Sequence, residues 1–477
     1  MTGAALWTPP AGSIPTLPVP SLDGIRSAHL VGIGGAGMRN LARVMAARGL
    51  AVQGSDLKDS PYVADLRARG IAVRVGHDAD AMGDPDVVIV SSAIAEHNVE
   101  LAAARDRGIP VWRRQQALAA LAAGHRVVSV AGTHGKTTTT SMIAAVFEAA
   151  GADPTYLIGG DLNESGSGAR HGAGDLFVFE ADESDGSHLL VPPWVGIITS
   201  IEEDHLDFYP GGLAEIERSF ARYAASAGTV VASADDARVR TAVAAGGGSA
   251  LWYGEAADAD LRLTVDALGP DGARGRLAVG GDEVDLRLRI DGPHNLANAA
   301  AAIGVASLAG IAPREAAGTL AGFGGVHRRF EFRGEARGVR FYDDYGHNPT
   351  EMAVTIATAR RRAPARLVAL VQPHRHARVQ ALWRELGASV AGADLVVVTE
   401  VYAAAQQPIP GVTGQLVADG VRAAAPEVPT VYLPHRADVV DHIAAAVRPG
   451  DLVVTMGCGD VWMIGDAILA RLEDGTG

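Results

Sequence analysis

Short apolar runs alternate along this chain with longer segments in which apolar residues recur every three or four positions, the pattern of strands followed by amphipathic helices. AHLVGIG (28–34) reads as a strand, GMRNLARVMAARG (37–49) as a helix ending on glycine, and LAVQGSD (50–56) as the next strand. IAVRVG, DVVIVSSA and PVW continue the alternation to about residue 124. A second series opens with HRVVSVAG (125–132) and a helix in SMIAAVFEAAG (141–151). Two apolar strands follow, DLFVFEADE (175–183) and WVGIITSIEEDH (194–205), and each runs straight into acids. Between about 260 and 290 the period drops to two in LRLTVDA, GRLAVGG and VDLRLRI, which predicts a small antiparallel insertion. GPHNLANAAAAIGVASLAG (292–310) is an alanine-rich helix. A third series begins near Arg328, with strands in VRFYDDYG, RLVALVQPH, ADLVVVTEV, TVYLP and DLVVTMG. Strands alternating with helices make parallel sheets covered on both faces, so the fold class is α/β.

The length of 477 residues fits about three domains at ~150 residues each. With 48% hydrophobic and 20% charged residues the composition is that of a soluble globular protein, and no apolar run reaches the ~20 residues that span a bilayer. The proline-bearing N-terminus, MTGAALWTPPAGSIPTLPVP, lacks the basic and apolar regions of a signal peptide. Residues 1–24 are therefore expected to be a flexible extension, and the protein cytoplasmic. A net charge of −14 provides no basic face for nucleic acid. The single cysteine, Cys458, excludes an internal disulfide and an all-cysteine metal site. Lys58 and Lys136 are the only lysines among 41 basic residues. A chain that otherwise uses arginine places its compact, flexible ammonium at position 136.

Lys136 belongs to the second of two glycine loops. The first holds Gly32, Gly34, Gly35, Ala36 and Gly37 between a strand and a helix, with Asp56 about twenty residues on, which is the full dinucleotide fingerprint. Amides at a helix N-terminus bind any diphosphate, so the loop suits a nicotinamide cofactor or another diphosphate ligand. The second, VAGTHGKTTTTS (130–141), ends in the G-K-T of a phosphate loop, although Val130 stands where the standard spacing has glycine. Gly132 and Gly135 let the backbone wrap phosphate, Lys136 reaches the outer phosphates, and Thr137 or Thr138 holds magnesium. Two phosphate cradles imply two phosphorylated ligands.

Glu180, Asp182 and Glu183, then Glu203, Asp204 and His205, fall at strand ends in the same domain as the second loop. Hard oxygen donors beside phosphate select magnesium. FGGVHRRF (323–330), DDYGHNP (343–349) and QPHRHAR (372–378) concentrate arginine and histidine in the third series, at strand ends where an open α/β sheet binds ligands. The chain has no nucleophile elbow and no reactive cysteine. Activation of a substrate by phosphoryl transfer is the simpler chemistry.

GIGGAGM, GTHGKTTTT, EADESD, IEEDHLDFY, GPHNLANAAAA, FGGVHRRF, DDYGHNPTE, QPHR and VYAAAQQPIPG, in this order, resemble the Mur ligase family over nearly the whole chain after about residue 25. The resemblance implies a Rossmann-like domain for a sugar nucleotide (25–124), a central P-loop ATPase-like domain (125–327) and a C-terminal Rossmann-like domain (328–477). Within the family the motifs are most similar to the branch that joins L-alanine to UDP-N-acetylmuramate through an acyl phosphate. Its cofactors would be ATP and two magnesium ions, with manganese as a substitute. The competing readings are attachment of a recycled peptide or another amino acid to the same sugar nucleotide, and, from another class, an NAD-binding oxidoreductase.

Residue by residue, the resemblance implies that Gly34, Gly35, Ala36, Gly37, Asp56 and Ser91 line the sugar-nucleotide site. Gly132, Thr133, His134, Gly135, Lys136, Thr137, Thr138, His294, Asn295, Arg329 and Asp344 would bind ATP. Thr137, Glu180 and His205 would hold metal. Tyr345, His347, His374, Arg375 and Arg378 would line the amino-acid side, and Lys136, Glu180, His205, Arg329 and His347 would carry the catalysis. Asn348, Ala405, Gln406, His376 and Val379 differ from the residues usual in that branch.

Overall fold

The most apolar runs of the sequence take the central strands of three sheets, where both faces are covered. The computed structural model describes residues 17–91, 93–163, 166–204, 208–404 and 406–474; most of the expected N-terminal extension lies outside these. β1 (Ser27–Val31), β2 (Ala51–Asp56), β3 (Ala72–Val75), β4 (Val87–Val90) and β5 (Val111–Arg113) form a parallel sheet in the order β3-β2-β1-β4-β5. The order reverses beside β1, the position at which such sheets bind ligands beyond their strand ends.

The second sheet contains β6 (Arg126–Ala131), β7 (Thr155–Leu157), β8 (Ala169–Arg170), β9 (Leu176–Glu180), β10 (Val195–Ile198), β11 (Thr229–Ser233), β12 (Ala250–Gly254), β13 (Leu261–Gly269), β14 (Gly272–Val279) and β15 (Asp282–Leu288). Its order is β15-β14-β13-β12-β11-β10-β6-β9-β7-β8. The period-two segments form the antiparallel pair β14/β15 and their neighbour β13, and they extend the parallel sheet at one edge. The third sheet has β16 (Glu331–Ala336), β17 (Val339–Asp344), β18 (Arg366–Val371), β19 (Leu395–Val398), β20 (Thr430–Tyr432) and β21 (Asp451–Met456), in the order β16-β17-β21-β18-β19-β20. It is parallel except for β16, which pairs antiparallel with β17 and was not among the expected strands.

The chain divides into two compact units. The first takes the first two sheets up to residue 324, and the second holds 325–477 together with the short segments 268–272 and 290–292. Within the first unit, helix Ala36–Ala47 explains why two sheets behave as one body. Its buried Arg39 and Arg43 pair with Asp161 at 3.1 and 3.4 Å, and Asn40 donates to the Ile158 carbonyl at 2.7 Å. Arg39 also lies 4.2 Å from the centre of the Tyr62 ring. No helix among the described residues is long and apolar enough to cross a membrane.

One buried acid organises the other face of the first sheet. Glu100, in helix Val99–Asp106, accepts from Ser55 Oγ at 2.5 Å and from the Asp78 amide at 3.1 Å, and lies 3.4 and 3.2 Å from His29 and His77 nitrogens. Burial opposes its charge, but hydrogen bonds from His29, Ser55 and Asp78 outweigh burial and hold the carboxyl below its usual range. The stability this supplies is complete above the unfolded value of about 4.3 and is lost as pH falls through the lower folded value. Glu100→Gln is expected to lower the melting temperature at pH 7 and to flatten its fall below about pH 4, as measured by thermal unfolding across pH.

Candidate active site

β6 ends at Ala131, and helix Lys136–Ala149 begins five residues later, earlier than the expected start at residue 141 because the four threonines form its buried first turns. The loop between is shaped by two glycines with φ of +133° at Gly132 and +78° at Gly135. A Cβ on Gly132 would stand 2.0 Å from Thr199 Oγ1, and one on Gly135 would stand 2.8 Å from Asn298 Oδ1. Backbone beyond β10 clamps the loop: Thr133 N–H donates to the Ser200 carbonyl at 2.9 Å, and His134 N–H to Ser200 Oγ at 3.0 Å. His134 Nε2 lies 3.0 Å from the Glu202 carboxylate. No side chain caps the helix and no acid stands in its first turn, so its amide end is suited to an anion.

Acids converge on that end from β9. Glu180 accepts from Thr137 Oγ1 at 2.9 Å and, on the same oxygen, from the Gly159 amide at 2.8 Å. A carboxylate beside a threonine hydroxyl at the mouth of an anion loop is the donor set that magnesium takes next to phosphate. Lys136 Nζ meets both Glu183 oxygens at 3.0 and 2.9 Å and the Gly132 carbonyl at 2.5 Å. Burial opposes this charge, but Glu183, Asp182 and Glu180 outweigh it and raise the lysine above its ordinary value. Thr138 is buried on the same turn. Asn295 is buried in helix Pro293–Leu308, where Asn298 contacts both Asn295 and Gly135, while His294 is exposed. His205 lies outside the described residues.

The first glycine loop is fastened by Asp56. Asp56 accepts the Gly34 amide on Oδ2 at 2.9 Å and the Lys58 amide on Oδ1 at 3.1 Å, so both carboxylate oxygens hold the chain's own backbone. Gly35 is the N-cap of helix Ala36–Ala47, with no capping side chain and no acid in the first turn. Ser91 follows β4, and its Cβ lies 3.4 Å from where a Cβ on Gly32 would stand. A residue outside the expected set, Arg114, lies against this loop. Its guanidinium packs against Gly37, with Nη1 3.0 Å from the place of an added Cβ, and its other end pairs with Asp185. Burial opposes its charge, yet Asp185, Asp182 and Glu180 raise its pKa. The available signal was the pair Arg113-Arg114 directly after a strand.

The remaining expected residues meet within the second unit. Arg328, Phe330 and Arg375 have φ of +62°, +46° and +64°, a concentration of strain characteristic of ligand-binding strand ends. Asp344 ends β17 and accepts amides from Phe330 at 2.8 Å and Gly346 at 2.7 Å; burial pushes its carboxyl up against the pull of Arg329. Arg329 lies 5.1 Å over the Tyr345 ring. The His347 ring lies 5.7 Å from Tyr345 and 5.5 Å from His374. Arg378 lies 3.1 Å from His374 Nδ1, which must accept because a guanidinium only donates. Arg375 caps helix His376–Val390. Of the departures, Asn348 is the side-chain cap of helix Pro349–Arg361, Gln406 accepts the Ala377 amide, and His376 and Val379 are buried; Ala405 lies outside the described residues.

Three family domains match in chain order: the Mur ligase family catalytic domain over 27–126, the Mur ligase middle domain over 130–306, and the Mur ligase glutamate ligase domain over 328–459. The chain belongs to the Mur ligase family. It is 45% identical over 469 residues to a UDP-N-acetylmuramate–L-alanine ligase of Saccharopolyspora erythraea, covering 95% of this chain and 94% of that one. It is also 45% identical over 453 residues to the protein of that name from Rubrobacter xylanophilus, covering 93% and 99%. The solved UDP-N-acetylmuramate–alanine ligase of Thermotoga maritima superposes with a TM-score of 0.80 at 27% identity, over 94% of this chain and 99% of that one. A murein peptide ligase from Psychrobacter arcticus, at 24% identity and a TM-score of 0.72 over 94% of this chain and 99% of that one, shares the fold.

Arg114 is the cation beside a glycine loop that has no basic residue of its own. Charge-assisted hydrogen bonds contribute about 1.5–3 kcal/mol each, so Arg114→Ala should weaken binding of a UDP-sugar by about 10- to 100-fold. Calorimetric titration with UDP-N-acetylmuramate measures this, and Arg114→Lys should recover only part of the loss.

Proposed function

We infer that this chain joins L-alanine to the carboxylate of UDP-N-acetylmuramate with hydrolysis of ATP to ADP and phosphate, a step of peptidoglycan precursor synthesis. The observation that carries the reading is near-full-length likeness, at 45% identity, to ligases named for that reaction. Residues 25–124 take the sugar nucleotide, 125–327 take ATP, and 328–477 take the amino acid.

The amides of Gly34, Gly35, Ala36 and Gly37 receive the diphosphate, with Ser91 at the neighbouring strand end and Asp56 holding the loop in shape. The amides from Gly132 to Thr138 receive the phosphates of ATP, and Lys136 exchanges Glu183 for a phosphate oxygen. Surrounded by Glu183, Asp182 and Glu180, Lys136 keeps its proton throughout, so it acts as a fixed positive charge and not as a base. His294, Asn295, Arg329 and Asp344 bind the nucleotide. Thr137 and Glu180 would hold one magnesium ion, and His205 would serve a second. Magnesium supplies charge neutralisation at the phosphoryl group during transfer.

The muramoyl carboxylate oxygen attacks the γ-phosphorus and ADP leaves. The amine of L-alanine then attacks the acyl carbon and expels phosphate. Arg375 and Arg378 hold the amino-acid carboxylate, and Tyr345 and His374 shape its side of the site. His347 donates from Nδ1 to the Tyr345 carbonyl at 3.1 Å, which leaves the lone pair on Nε2 to take a proton from the incoming ammonium.

The test is release of ADP and phosphate with ATP, magnesium and UDP-N-acetylmuramate, adding L-alanine, glycine, L-serine or the recycled tripeptide singly. Preferred turnover with L-alanine, and a product heavier by one alanyl residue, is expected. Turnover with the tripeptide alone overturns the assignment. Lys136→Ala should reduce kcat by about 10²- to 10³-fold or more while the fold, followed by circular dichroism, is retained.

A further inference from the structure

Cys458 is the only thiol in the chain, and the ligase chemistry does not use it. It follows β21 in a turn whose flanking carbonyls, those of Gly457 and Gly459, accept from the Arg328 guanidinium at 2.6 and 3.0 Å. The order β17-β21-β18 sets the end of β21 between the ends of its two neighbours. Cys458 therefore has His347, beyond β17, on one side and His374, beyond β18, on the other. One ring nitrogen from each histidine and the Cys458 sulfur all lie within 4.8 Å of one another.

The surroundings fit a metal as well as the donors do. His347 donates from Nδ1 to the Tyr345 carbonyl at 3.1 Å, the outer hydrogen bond that orients a metal-ligating imidazole and puts the lone pair on Nε2. The His374 ring is stacked on Tyr402, 5.9 Å between centroids and 15° between planes, which fixes its orientation. Two imidazoles and one sulfur are ligands for zinc and other soft divalent cations, whereas magnesium takes hard oxygens. Bonds of about 2.0–2.3 Å require the three donors to close by small rotamer changes. Three protein ligands leave a fourth coordination position open.

We propose that His347, His374 and Cys458 form a site for zinc or another soft divalent cation, and that filling it stops the ligase. The inhibitory half rests on the reading of His347 and His374 as the amino-acid side of the site, because a metal there takes both imidazoles out of that role. Forces within the site oppose binding and make it reversible. Burial pushes the Cys458 thiol up to about 12, against Arg378, Arg328 and Arg375, so the metal–sulfur bond forms as the S–H proton leaves to solvent. Binding through His374 Nδ1 also requires Arg378, now 3.1 Å from that nitrogen, to release it.

The probes are Co2+ and Zn2+ added to the full chain in excess magnesium. One Co2+ per chain is expected, with a thiolate-to-cobalt charge-transfer band that Zn2+ abolishes and that Cys458→Ala lacks. Cys458→Ala should keep its basal turnover and become less sensitive to Zn2+ inhibition by about 10-fold or more. Absence of the band, its survival in Cys458→Ala, or equal Zn2+ inhibition of both proteins overturns the proposal. The cobalt spectrum needs no turnover, so a chain that fails to use L-alanine defeats the assigned reaction and leaves the metal site to be judged on its own.

Discussion

The Glu180 carboxylate links the second glycine loop of the first unit to the segment held by the helix of the first. On one side it accepts from Thr137, in the first turn of the helix that closes the second glycine loop. On the other it accepts from Gly159, where a side chain would come within 2.4 Å of the same carboxylate. The loop around Gly159 is pinned in turn by Arg39, Asn40 and Arg43 of the helix that opens at the first glycine loop. A run of hydrogen bonds and ion pairs thus connects one helix N-terminus to the other. The two glycine loops are therefore held in one common frame.

Negative charge in that frame is partly offset within it. Glu180, Asp182, Glu183 and Asp185 come within a few residues of one another, and two cations answer them, Lys136 and Arg114. The two are not interchangeable. Lys136 must fit inside a loop where Gly132 and Gly135 already touch their neighbours, which a compact ammonium does and a planar guanidinium does not. Arg114 spans the distance from Gly37 to Asp185, which suits the longer, forked group.

Features set by local pattern were readable in the sequence. Glycines at the two loops announce positive φ and close approach, and apolar runs ending in acids announce parallel strands that deliver carboxylates to one edge. Features set by pairing across the fold were not readable. Arg114 looks like one more arginine in an arginine-rich chain until β5 places it beside Gly37. That the two Asp56 oxygens hold the Gly34 and Lys58 amides is likewise seen only in the folded chain. Glu331–Ala336 escaped notice because β16 is an exposed edge strand with little apolar pattern, and the helix expected from residue 141 begins at Lys136 because burial overrules the weak helix propensity of threonine. Asn348 has a local explanation as a helix cap, independent of any substrate.

The fusion of the first two sheets also determines how the protein comes apart. Ala28, Leu30 and Leu41 of the first sheet layer share one continuous hydrophobic core with Phe177, Phe179 and Phe220 of the second, while the third sheet keeps cores of its own. A core shared in this way melts as one cooperative block. A cut of the gene between the first and second sheets would therefore sever a single hydrophobic core.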